Sequence, residues 1–170
     1  MTKEFDMMDI GIMSYYLGIE VKQQDDGIFI SQKGYTKEVL KKFDMKNCKL
    51  VGTPVECGIK PHMNQDDEKV DPTLFKSLVG SLRYLTYTGP DILFGVGLVS
   101  RYMKAHITTH LRIAKRILRY IKGTINYGIP YAFSDNFKLI GYCDSDWAGD
   151  IDSRKSTTGV VFFMGNLLGP

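Results

Sequence analysis

Ser14-Tyr15-Tyr16-Leu17-Gly18-Ile19-Glu20-Val21, followed after a short polar break by Gly27-Ile28-Phe29-Ile30-Ser31, is the stretch that decides the fold. Both runs are rich in aromatic and β-branched residues, which suit a pleated, half-buried surface. The Asp26-Gly27 step between them supplies the positive φ that a tight strand reversal needs. Residues 13–32 are therefore expected to form a hairpin.

Working outward, the period changes. Tyr35, Val39, Leu40 and Phe43 fall at helical spacing, with Lys37, Lys41 and Lys42 off that face. Cys48 to Val70 has no sustained period, holds Pro54, Pro61 and the acids Asp66-Asp67-Glu68, and is expected to be an extended, mobile connection. Asp71-Pro72 predicts a helix start, a capping side chain ahead of a proline whose missing N–H costs nothing there. Phe75, Leu78, Val79, Leu82 and Leu85 form its buried stripe, and Gly89-Pro90 ends it. Pro90-Asp91 opens a further helix carrying Leu93, Val96, Val99 and Met103. A last helix spans about Thr109 to Lys122, with Gly123 suited to a left-handed cap.

Beyond it, Lys138 to Asp144 and Thr158 to Met164 look like neighbouring strands joined by a polar loop. The order of strands, helices and strands defines an α+β chain made of pieces of different domains rather than one closed fold.

Composition narrows the classes. Among 170 residues, 44% are hydrophobic and 24% charged, which points away from disorder. The most apolar later stretch, Ile92 to Val99, is too short to span a bilayer, and Met1 to Asp6 lacks the apolar run of a signal peptide. An intracellular protein with no membrane partner is expected. Cys48, Cys57 and Cys143 are an odd number whose spacing fits no zinc knuckle or ribbon. His62, His106 and His110 have no distinctive catalytic neighbour.

Two features carry chemistry. From Arg101 to Lys122 there are seven Lys or Arg and no acid. Arg112, Lys115, Arg116 and Arg119 share a face opposite Leu111, Ala114, Leu118 and Ile121, with Lys122 at the helix end. Such an array can neutralise several phosphates without reading bases. A solvated face, or one for a membrane or protein partner, fits the same pattern. The second feature is Tyr142-Cys143-Asp144-Ser145-Asp146-Trp147-Ala148-Gly149-Asp150, with Asp152 behind it. Hard divalent ions bind carboxylate oxygens, so Asp144 and Asp146 are candidate but incomplete metal ligands. An Asp-rich turn capping its own backbone N–H groups is the alternative.

These residues occur in a recognisable order. The hairpin string through Gln32-Lys33-Gly34-Tyr35, then Leu78-Val79-Gly80-Ser81-Leu82-Arg83-Tyr84-Leu85, Pro90-Asp91-Ile92 and Ala114 to Thr124 resembles the copia-type retrotransposon Pol polyprotein after the catalytic aspartates of its reverse transcriptase. Gly141 to Asp150, Arg154-Lys155-Ser156-Thr157 and Gly159 resemble the opening of that family's ribonuclease H domain. Gly89 departs from the basic residue usual before Pro-Asp-Ile.

The resemblance implies three parts: a palm-derived β-hairpin over residues 1–34, a mainly helical thumb and connection over 35–135, and the first strands of a truncated ribonuclease H-like sheet over 136–170. It places Tyr16, Leu17 and Gly18 at the grip on the primer end, the basic helix along an RNA–DNA hybrid or DNA duplex, and Asp144 at the first catalytic, metal-binding position of ribonuclease H. Mg2+ belongs to the intact parent enzyme, and no cofactor is expected in this chain alone. The remaining catalytic carboxylates are expected upstream of Met1 and beyond Pro170. The expected function is therefore a polyprotein piece inactive by itself, or a non-catalytic nucleic-acid-binding module using residues 109–122.

Overall fold

The computed structural model describes residues 11–56, 58, 68–104, 107–133, 138–149, 154–156 and 158–164. The decisive stretch is one strand richer than its composition suggests. β1 (Tyr15–Tyr16) and β2 (Ile19–Gln24) are separated by Leu17 and Gly18, with φ of 48° and 84°. Two consecutive positive φ values match the right-handed twist of the flanking strands, the geometry of a two-residue hairpin. β2 then pairs antiparallel with β3 (Gly27–Ser31), and the turn between them is Asp25-Asp26. Neither Asp26 nor Gly27 has a positive φ, so the expected reversal chemistry lies at Leu17-Gly18 instead.

Gly27 serves a different purpose. β4 (Ile129–Ala132) adds to β3 antiparallel and closes a sheet of order β1-β2-β3-β4. A Cβ on Gly27 would lie 2.2 Å from the Tyr131 carbonyl oxygen, and one on Gly128 would lie 2.1 Å from that of Ile30. Glycine lets the two backbones approach at both ends of this pairing. The β2–β3 hairpin and a strand from the 35–135 stretch thus share one sheet.

The helices follow their sequence signals closely. α1 (Lys33–Lys42) buries Thr36, Val39 and Leu40, and Phe43 follows them into the core. α2 (Pro72–Leu85) starts where Asp71 accepts the Thr73 N–H at 2.9 Å, and its predicted stripe is entirely buried. A short 3-10 turn at Pro90–Ile92 leads into α3 (Leu93–Ser100), in which Val96 and Val99 are buried and Leu93 is exposed. α4 (Thr108–Gly123) buries His110, Ile113, Ala114, Ile117, Leu118 and Ile121. Gly123 stays helical, without a left-handed φ. Thr124 ends the helix, its N–H reaching the Tyr120 and Ile121 carbonyls.

These four helices enclose one core, with Phe75, Leu78, Leu82, Ile117 and Leu118 at its centre. Truncating one of these leucines to alanine costs roughly 2–5 kcal/mol at such sites. Sheet and helices are tied at several points. The Tyr84 phenol of α2 donates to the Leu17 carbonyl and packs edge-on against Tyr35, with ring centroids 4.9 Å apart. At the same end of the sheet, where the end of β3 lies beside the start of β2, the Thr88 hydroxyl donates to Gln32 Oε1 at 2.9 Å, both residues being buried.

β5 (Leu139–Ser145) and β6 (Thr158–Met164) form a separate two-stranded antiparallel sheet, as expected. Leu139, Tyr142, Val160, Val161 and Phe162 are exposed on it. Among the described residues the chain is therefore α+β, with four α-helices and two antiparallel sheets.

Candidate nucleic-acid interface

Tyr16, Leu17 and Gly18 sit together at the tip of the β1–β2 hairpin. Tyr15, Tyr16 and Leu17 are 64%, 59% and 70% exposed, beside the exposed Ile12 and Met13. An exposed cluster of this kind marks an interaction surface more often than chance. Its turn is held from behind by Tyr84, whose hydroxyl also lies 3.4 Å from where a Gly18 Cβ would stand. Sequence reasoning quoted Tyr84 within a motif but gave it no role. A contact 67 residues away in the chain leaves no local signal.

The basic helix is amphipathic in the predicted sense, but its cations are not equivalent. Arg112 and Lys115 are exposed. Arg116, Arg119 and Lys122 are half-buried and hold the segment that runs from Cys48 to Glu56. Arg116 pairs with Glu56 at 2.6 Å and donates to Thr53 Oγ1 at 3.1 Å. Arg119 Nε donates to the Lys49 carbonyl and Lys122 Nζ to the Cys48 carbonyl, each at 2.8 Å. Val55 adds an apolar anchor, since a Cβ on Gly95 would stand 2.8 Å from it and 3.2 Å from Ile117.

The described part of the expected mobile connection is thus a strap pinned across α4. Asp66 and Asp67 lie outside the described residues, as do Cys57, Pro61, His62 and His106. Glu56, the acid that answers Arg116, was absent from the sequence reading because nothing in its spacing marks it.

His110 is structural in its visible contacts. It stacks on Tyr102 at 3.8 Å between centroids, and its Nδ1 accepts the Ile107 N–H at 3.3 Å, covering a free donor at the start of α4. Near the C-terminal end of α4, the Tyr120 hydroxyl donates to Asp91 Oδ2 at 2.5 Å. That hydrogen bond, with burial and the Asp91 charge behind it, pushes the Tyr120 phenol up to about 12.

Asp144 lies in β5, paired with Gly159, and is exposed. The strand ends at Ser145, so Asp146 belongs to the following loop and does not share a continuing strand face with Asp144. The Asp146 carboxylate folds over Gly149, where a Cβ would meet Oδ2 at 2.0 Å, and the Ala148 N–H donates to Ser156 Oγ at 3.1 Å. Asp150 and Asp152 lie outside the described residues. Among the described residues, no group of three or more His, Cys, Asp or Glu is placed to hold a metal ion. No described helix is long and apolar enough to cross a membrane.

Comparison with known proteins agrees with the motif order. Residues 1–57 match the family described as reverse transcriptase (RNA-dependent DNA polymerase). An uncharacterised mitochondrial protein of Arabidopsis thaliana is 37% identical over 97% of this chain and 68% of its own length. The retrovirus-related Pol polyprotein from transposon RE1 of the same plant is 37% identical over 98% of this chain. That from transposon TNT 1-94 of Nicotiana tabacum is 37% identical over 95% of it. The chain spans only 11% and 13% of those two polyproteins. No solved structure matches it.

Proposed function

Because the chain belongs to the copia-type retrotransposon Pol polyprotein family, we propose that it holds a nucleic-acid duplex without itself cutting or copying it. The carrying observation is the Leu17-Gly18 turn, exposed at its tip and fixed by Tyr84 to the helical core. A rigid, projecting turn can lie against a primer end, while Arg112 and Lys115 offer charge to backbone phosphates. Positioning of this kind needs preorganised geometry more than reactive groups.

In this reading β5 and β6 are the opening strands of a ribonuclease H domain. Asp144 is then one carboxylate of a site whose Mg2+ and other ligands come with the rest of the parent polyprotein. A lone exposed carboxylate supplies neither the two-ion clamp nor the shaped cavity of such chemistry. Nothing in this chain's own described residues takes a catalytic step.

The test is binding of an RNA–DNA hybrid over a salt series, read by fluorescence anisotropy. Affinity should fall steeply with salt, and Arg112→Gln with Lys115→Gln should flatten the slope by about 2, roughly 0.9 per lost phosphate contact. Weak binding that ignores salt would overturn the reading. Hybrid hydrolysis with magnesium that disappears in Asp144→Asn would overturn its non-catalytic part.

A further inference from the structure

The sequence draws attention to the middle of α4, yet part of that face is already occupied by the strap. A second basic surface is open. Between α1 and the C-terminal end of α4 lies a groove of about 470 Å³, walled by Lys37, Lys41, Lys46 and Lys122, with Leu40 and Ile125 among its lining residues. Glu38 is the one acid in that lining. Lys37, Lys41 and Lys46 are exposed, whereas Lys122 is half-buried and tied to the Cys48 carbonyl.

Helix dipoles account for some of these charges. Lys41 and Lys122 stand in the last turns of α1 and α4, where a cation is favourable. Lys37 sits near the middle of α1, and Lys46 lies beyond its end, so the dipole explains neither. Lys37 and Lys41 are one helical turn apart, a spacing at which like charges repel. Three exposed cations, Lys37, Lys41 and Lys46, with a single acid stand at the rim of a groove whose lining is mostly apolar, so the charge complementary to a polyanion lies along that rim.

We propose that this groove is the track for a nucleic-acid backbone, with phosphates seated on Lys37, Lys41 and Lys46. The inference rests on the duplex-holding reading and deepens it by moving the main phosphate contact from mid-α4 to the α1–α4 groove. The lysines give attraction and register along the strand, and no base is read.

The experiment compares three forms of the 170-residue chain: the native one, Lys37→Gln/Lys41→Gln/Lys46→Gln, and Arg112→Gln/Lys115→Gln. Each is titrated with an RNA–DNA hybrid from low to moderate salt. All five positions are exposed, and circular dichroism of each variant should match the native chain. The lysine triple should weaken binding at least tenfold at low salt and reduce the salt slope by about 2–3, more than the arginine–lysine pair does.

If the native chain binds and the triple binds equally well, the groove is wrong and the duplex-holding reading survives. If the native chain binds no hybrid, both fall. Vesicles containing phosphatidylserine form a control arm. Tight vesicle binding lost in the triple, without hybrid binding, would assign the lysines to an anionic membrane surface and overturn the proposal.

Discussion

The two antiparallel sheets share a pattern of short strands and tight pairing, but they differ in what surrounds them. The β1–β4 sheet is gripped: Tyr84 holds its first turn, Thr88 reaches Gln32 at the end of β3, and β4 presses against β3 at Gly27 and Gly128. The β5–β6 sheet exposes Leu139, Tyr142 and Phe162 to 65%, 60% and 66%. A two-stranded ribbon gains little from its own hydrogen bonds and needs a packed face for independent stability. The contrast teaches that strand-forming sequence and stable sheet are separate properties, divided by packing.

The harshest way to break the contrast is one substitution made in each sheet. Gly27→Val drives a side chain into the Tyr131 carbonyl and should destabilise the folded unit by about 3 kcal/mol. Gly159→Val in β6 meets only the Asp144 carbonyl at an ordinary 3.8 Å and should change stability by less than about 1 kcal/mol. Amide exchange along β3 and β6 reads the two sheets separately. Comparable losses of protection in both strands would remove the distinction.

A milder cut tests the link between sheet and helices. Tyr84→Phe keeps the ring against Tyr35 and removes only the hydroxyl that caps the Leu17 carbonyl. Urea denaturation should show a loss of about 1 kcal/mol, the usual net value of such a hydrogen bond. If the duplex-holding reading is right, hybrid affinity should also drop, because the Leu17-Gly18 tip loses its support. An unchanged midpoint with unchanged affinity would mean that the turn holds itself.

How much of this was legible beforehand depends on whether the signal is local. α2 could be read residue by residue, because the Asp71 cap, Pro72 and the apolar stripe all lie within the element they define. β4 could not. It has four residues, one of them Pro130, and shows no alternation; a proline is tolerated there because β4 is an edge strand. Gly27 was read as a turn glycine for a related reason. A turn glycine and a close-approach glycine look identical until the partner strand is placed. The basic face was visible as a charge pattern, yet three of its cations bind the strap, two of them through backbone carbonyls that every residue carries. The Lys37 and Lys41 contribution to the groove was seen as helix periodicity only, since Lys46 and Lys122 join them through folding.

The smallest expected effect concerns pH and falls on one sheet alone. Tyr120 and Asp91 meet at the cavity of about 350 Å³ where the β1–β4 sheet joins the helices, with Gln32 and Gly128 on its walls. The folded state raises the Tyr120 phenol to about 12 from the ordinary 10.0. A group whose folded pKa is raised contributes stability that is complete below its unfolded pKa and is lost as pH rises through the folded one. The joint should therefore keep its full strength below about pH 10 and weaken between 10 and 12 as the unfolded chain releases the proton first. Asp91→Asn removes the carboxylate acceptor and its charge, so the phenolate absorbance of Tyr120 should move back toward the ordinary range and this part of the alkaline loss should shrink. Exchange at β5 and β6 should show no matching dependence on Asp91, because neither strand borders this cavity. An alkaline loosening of both sheets that Asp91→Asn relieves equally would show that they share one cooperative unit, and the contrast between them would then be one of exposure alone.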